Sequence, residues 1–118
     1  MATATYLQRG EALDYTNATD DLIPQDTVVV IGDHIGVTGC PIPPGKVGSL
    51  HMGGVFTIKK TGTAAIAMGE TVYFDGTGIT NETDNGKTDS AKVSYATAGY
   101  AAAPAAAADA EILVKICG

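Results

Sequence analysis

The chain has 118 residues and a mass of 12.0 kDa, which is room for one domain, and its seven basic against thirteen acidic residues leave a net charge of −6. That balance opposes the phosphate neutralisation on which nucleic-acid affinity rests, and no run approaches the ~20 strongly apolar residues of a bilayer span. With five Tyr, two Phe and no Trp, the core has to be built from small side chains, and a thin core of this kind gains burial by self-association.

Met1 to Arg9 lacks the apolar stretch of a secretory signal, so synthesis in the cytoplasm is expected. Residues 1–10 read as an extended N-terminal segment with a short strand near Thr5 to Leu7, leading into a single β-domain over 11–118. Further along, runs of Val, Ile, Thr, Tyr and Phe punctuated by Gly, Pro and Asp predict strands. These lie near Ala12 to Thr16, Thr27 to Ile31, Ile35 to Thr38 and Val47 to His51. Others lie near Val55 to Lys59, Thr71 to Phe74, Lys92 to Tyr95 and Glu111 to Ile116. Asp75-Gly76 and Asn85-Gly86 are dipeptides that supply positive φ in tight turns. Apolar residues never keep helical spacing for three turns; Pro104 could start one or two helical turns over Ala105 to Glu111, but a full helix is not expected.

One pattern repeats. Ile23-Pro-Gln-Asp26, Ile42-Pro-Pro-Gly45 and Ile66-Ala-Met-Gly69 each set an apolar anchor three residues before a turn residue, just ahead of a strand, and Ala106 to Asp109 is a weak fourth copy. After the first and third copies the similarity runs on without a gap, Val29-Val-Ile31-Gly-Asp against Val72-Tyr-Phe74-Asp-Gly. The expected fold is therefore all-β, a compact barrel or sandwich built from two related β-units joined by short turns. The proline-rich Cys40 to Gly45 reads as a rigid crossover between sheet segments in preference to an arm reaching for a partner.

Candidate chemistry is sparse. His34 and His51 have no neighbours at zinc-ligand spacing, and no serine sits in a nucleophile elbow. Gly86-Lys87-Thr88 invites a phosphate-loop reading, but Asn81 stands where that loop needs glycine, and Thr80 to Ser90 is a polar hairpin tip. The carboxylates Asp20, Asp21, Asp84 and Asp89 lie in turn-like segments with no calcium-loop spacing. No catalytic residue, cofactor or metal site is expected. Cys40 and Cys117 read as free or buried thiols, and the glycosylation patterns at Asn17 and Asn81 as chance matches.

Tyr6-x-Gln8-x-Gly10-x-x-Leu13-Asp14-Tyr15-Thr16-Asn17 resembles the opening of a family of small tailed-phage capsid cement, or head decoration, proteins. The resemblance continues through Gly36-Val37, Ile42-x-x-Gly45, Gly48, Gly54-Val55-Phe56 and Gly69-x-x-Val72-Tyr73, and closes on Ile112 to Ile116. The chain departs from the family at Val93-Ser-Tyr95-Ala and in the polar and Ala-rich stretches around it. The resemblance implies a homotrimer on the outside of a virion. It would bind the phage major capsid protein of an expanded HK97-like shell at three-fold and quasi-three-fold positions. Capsid contact is expected from the N-terminal segment, Ala2, Thr3, Ala4, Thr5, Tyr6, Leu7 and Gln8, adding to an edge strand of a neighbouring subunit, with Tyr6 and Leu7 as anchors. Packing of those two against their own domain is the alternative. Neither nucleic acid nor membrane is an expected partner. Two other functions compete. One is a virion-displayed adhesion or carbohydrate-binding module using Tyr95 and Tyr100. The other is the recombination-associated role for which some family members were once named, against which the charge and the failed phosphate loop both count.

Overall fold

A computed structural model describes residues 2–4 and 11–117, Cys117 by its backbone alone. The β-branched runs form strands because such side chains pack well on a pleated surface. Nine are present among the described residues: β1 (Ala12–Thr16), β2 (Val28–Ile31), β3 (His34–Thr38), β4 (Val47–His51), β5 (Gly53–Lys59), β6 (Thr71–Phe74), β7 (Ile79–Thr80), β8 (Ala96–Ala101) and β9 (Glu111–Cys117). β2 turns into β3 through Gly32 at φ +60°, with Ile31 opposite His34, so a two-residue hairpin fixes their register.

The strands form two units of like order. In the first, antiparallel pairing runs β1-β4-β3-β2; in the second it runs β5-β9-β8-β6, with β7 beyond β6. Their loop hydrogen bonds correspond. Ile23 and Ile42 exchange N–H and C=O, as do Ile66 and Ala105; Asp26 N–H reaches Thr38 C=O where Gly69 N–H reaches Ala101 C=O. Thr38 N–H to Thr27 C=O matches Ala101 N–H to Glu70 C=O, and Gly39 N–H to Ser49 C=O matches Ala102 N–H to Leu113 C=O. The repeated turns are thus the joints of a duplicated unit. The fourth copy is anchored at Ala105, one residue before the position the sequence pattern suggested.

The turns also show why their sequences differ. Copies one and two carry Pro24 and Pro43 after the anchor, where no N–H needs a partner. Copies three and four carry Ala67 and Ala106 there, and each exposed N–H is taken by a carboxylate three residues on, Glu70 Oε1 at 3.1 Å and Asp109 Oδ2 at 2.8 Å. Asp26, Gly45 and Gly69 all hold positive φ (66°, 74° and 87°), the backbone such turns require at their third residue.

The units meet where β3 and β8 touch in parallel at His34↔Thr97, and β4 runs through Met52 into β5. The result is a single mixed sheet that does not close into a barrel. Closure would need β2 to pair with β5, but a groove of about 490 Å³ separates them. The core is made of Ile35, Val37, Ile58, Ile66, Val72, Ile79, Ile112, Val114 and Ile116, with Ala96, Ala98 and Ala101 filling β8.

Two elements differ from expectation. Lys92 to Tyr95 is no strand; Ser94 makes one isolated bridge to Asp84, and the strand begins two residues later at Ala96. β8 is crowded by β6 on one side and by β9 and β3 on the other, so it needs small side chains rather than the bulky ones that mark most strands. A Cβ on Gly99 would lie 2.0 Å from the Lys115 carbonyl oxygen. β7, only two residues long, is too short to leave a sequence pattern. The expected strand near Thr5 to Leu7 lies outside the described residues.

Two buried polar side chains occupy corresponding places. Asn17 N–H meets Lys46 C=O after β1, as Lys60 N–H meets Ala110 C=O after β5. Asn17 is fully buried and fully bonded. Its Nδ2 donates to the carbonyls of Asp21 (2.7 Å) and Ile42 (2.8 Å), and its Oδ1 accepts from the Thr19 amide (2.9 Å) and hydroxyl (2.6 Å). Lys60 donates from Nζ to the carbonyls of Gly62 (2.5 Å) and Ala107 (3.1 Å). Each side chain ties the turn before its unit's closing strand to the strand that strand pairs with. Burial of Asn17 also makes it no acceptor for a glycan in the folded protein.

Candidate functional site

Among the described residues the surface offers strand edges and apolar patches, with no catalytic constellation. His34 is the exposed first residue of β3, and the His51 ring packs against Phe56 at a centroid distance of 6.4 Å. Among the described residues, no three His, Cys, Asp or Glu side chains converge as metal ligands. Cys40 is a half-buried free thiol. Gly86 holds φ +78° at the tip of a polar loop, with Asn85 N–H bonded to Val93 C=O and the Lys92 ammonium 3.7 Å from Asp84. A phosphate-loop helix does not follow it.

Two carboxylates titrate below their ordinary range, both through turn building. Glu70 is held down by the Ala67 amide first and the Asn81 side chain second. For Asp75, burial pushes the carboxyl up, but the Thr61 hydroxyl and the Gly78 and Thr77 amides outweigh it and the net direction is down. With their acceptor atoms spent on the protein itself, these groups are poor candidates for proton transfer.

Apolar side chains lie exposed along the outer face of β5, β9 and β8. Val55 and Tyr100 flank Lys115 from opposite sides in register, and Leu113 sits one outward position along β9. A second patch gathers Val30, Phe74, Val93 and Tyr95 around a hollow of about 240 Å³. Tyr95 and Tyr100 therefore belong to different surfaces, whereas a sugar platform needs its aromatics together. The edges of β2 and β5 face each other across the groove of about 490 Å³.

Of the residues expected to touch a capsid, Ala2, Thr3 and Ala4 are exposed, and Thr5, Tyr6, Leu7 and Gln8 lie outside the described residues. The groove between β2 and β5 was not foreseen from sequence. Its only linear sign is two uncharged, proline-free runs, Val28 to Ile31 and Val55 to Ile58, the second closed by Lys59 and Lys60.

Comparison with known proteins is consistent with the resemblance drawn from the linear motifs. No curated protein and no solved structure matches the chain. The sequence profile of one family, described as phage cement protein, matches residues 7–116. That span takes in both β-units and every described strand up to Ile116. An all-β chain without a catalytic cluster among its described residues, matched over nearly its whole length, belongs to the phage cement protein family.

Proposed function

We propose that the protein is a decoration protein that binds the outer surface of an expanded HK97-like capsid at its three-fold and quasi-three-fold positions. It acts as a homotrimer that bridges neighbouring copies of the major capsid protein. The family match over residues 7–116 carries this reading, since a cement family implies a capsid-stabilising role in the virion. Structural families of this kind are not usually enzymatic, and the protein is read as a non-enzyme.

The mechanism is mechanical. A shell packed with DNA is pushed outward, and a protein bridging adjacent subunits adds interface that must break before the shell opens. Binding to the expanded form stabilises that form by mass action. A standard interface buries about 1,600 Å², and many copies act together. The charge of −6 per chain suits an outer surface away from packaged DNA. The N-terminal segment, Ala2 to Gln8, would supply one contact by adding to a capsid edge strand.

Mixing purified protein with expanded shells that lack it, then pelleting through a cushion, tests the reading. Saturable co-sedimentation with expanded shells and none with unexpanded proheads is expected; absence from both pellets refutes it. Deletion of residues 2–8 should weaken binding, and a folded deletion variant with full affinity would remove that segment from the interface. Light scattering at 12 kDa would contradict the trimer.

A further inference from the structure

The groove between β2 and β5 runs along a strand edge that no other described strand pairs. Five consecutive residues of β5, Val55 to Lys59, line it together with Asp26, Val28 and Val37. Consecutive side chains of a strand alternate between its faces, so a hollow lined by all five runs along the strand's edge. The ladder fixes which backbone groups point into it. Lys60 N–H reaches Ala110 C=O, in the same register as the β5–β9 ladder. Bonded pairs alternate along an antiparallel ladder, so Val55, Thr57 and Lys59 turn their N–H groups away from β9. By the same rule, the Thr38 N–H to Thr27 C=O bond leaves Val28 and Val30 with theirs turned away from β3. Among the described residues no strand pairs with either edge at these positions; only the far end of β5 is met, by the Lys60↔Ile79 bridge.

We infer that this groove takes one extended segment of a capsid subunit, added as a strand between β2 and β5. The inference rests on the capsid-binding reading and specifies how one contact is made. Unpaired donors and acceptors on both walls recognise a backbone, and the apolar floor of Val28, Val37, Phe56 and Ile58 recognises alternating apolar side chains. The family match makes the phage capsid the partner, and a chain of net −6 favours a capsid segment of neutral or basic balance over an acidic one.

Thr57→Pro removes one N–H that faces the groove. Thr57 is exposed and its amide takes no part in the β5–β9 ladder, the kind of edge position where proline is tolerated. Affinity for expanded shells should fall at least tenfold, since a partner carbonyl would be buried without its donor, while the circular dichroism of the free protein stays unchanged. In parallel, hydrogen exchange on the wild-type protein should show the Val28, Val55 and Thr57 amides slowing at least tenfold on shell binding, which decides the matter even if the variant does not fold. A folded Thr57→Pro protein of full affinity, or a bound wild-type protein without that added protection, overturns the inference and leaves the cement reading intact. Protection already present in the free protein also overturns it. If it rises with concentration it assigns the groove to a second copy, and if it does not, to the chain's own N-terminal segment. Wild-type protein that binds no shell at all overturns the cement reading and this inference with it.

Discussion

Asn17→Ala isolates the clamp that joins β1 to the turn before β4. The side chain makes four hydrogen bonds, two donated and two accepted. At about 1 kcal/mol net per bond the ceiling is about 4 kcal/mol. Three of the four involve Asp21 and Thr19 at the partly exposed end, where water can replace the lost partner. The fourth serves the Ile42 carbonyl, which keeps the Ile23 amide. The expected loss is therefore about 2–3 kcal/mol, a value that includes the small cavity. An unfolding entropy of about 2.1 cal/mol/K per residue gives about 0.25 kcal/mol per degree for this length, so Tm should drop by about 10 °C. Thermal unfolding by circular dichroism, at one fixed protein concentration because assembly shifts Tm, is the assay. Asn17→Asp sharpens it. That carboxylate would face the Asp21 and Ile42 carbonyls and prefer its protonated form when folded. Its pKa in the folded state is then raised, the folded state holds more protons, and stability falls as pH rises above the unfolded value near 4. An Asn17→Ala protein within about 2 °C of wild type, or an Asn17→Asp protein whose deficit does not shrink toward acid pH, would refute the clamp.

Other consequences can be checked in the same way. Gly99→Ala should cost at least about 3 kcal/mol, because its Cβ would sit 2.0 Å from the Lys115 carbonyl oxygen at φ +142°. Gly76→Ala, at φ +99° with open space around it, should cost only about 1–2 kcal/mol; equal losses in denaturant titrations would contradict the crowding of β8. Glu70 and Asp75 are both lowered, so their stabilisation is complete above the unfolded carboxylate range and disappears as pH falls through the folded values. Asp75→Asn should thus be less stable than wild type at pH 7 and indistinguishable from it near pH 2; a gap that persists in acid rules this out. Ala67→Pro and Ala106→Pro, which copy Pro24 and Pro43 of the first unit, stiffen the unfolded chain but remove the N–H that Glu70 or Asp109 accepts, so the two effects offset and each should change stability by less than about 1 kcal/mol. A fall in Tm of more than a few degrees would show that the repeated turns are not equivalent.

Legibility in the sequence followed side-chain size. Ala12 to Thr16, Val47 to His51 and Thr71 to Phe74 were bounded as they stand in the structure, since Gly, Asn or Asp stands within two positions of each end. The duplicated unit was visible because its turns need a proline, a positive φ or both. β8 was hidden because it is selected for small volume, and Ala-rich sequence carries little strand signal. In the sequence Asn17 is part of a motif and of a chance glycosylation pattern; the one of its bonds that reaches across the unit goes to Ile42, twenty-five residues away, a distance no local pattern reports. The groove was hidden for a similar reason. Two edges become a site only when the fold sets them across from each other, and neither Val28 to Ile31 nor Val55 to Ile58 carries any sign of the other.

β9 is the final strand, yet it lies between β5 and β8 and contributes Ile112, Val114 and Ile116 to the core. Even the nearest β5–β9 pair, Lys59↔Glu111, joins residues more than fifty positions apart. At about 5–20 residues per second, a ribosome that has made β5 needs roughly 3 to 12 s more to finish the strand that covers it. During that interval Val55, Phe56 and Ile58 have neither partner strand nor core, and folding dominated by such distant pairings is slow once it starts. The two lysines that close the run, Lys59 and Lys60, then have a role in time as well as in space. They place charge beside an apolar strand while it waits, which discourages nascent chains from pairing with one another before each can fold.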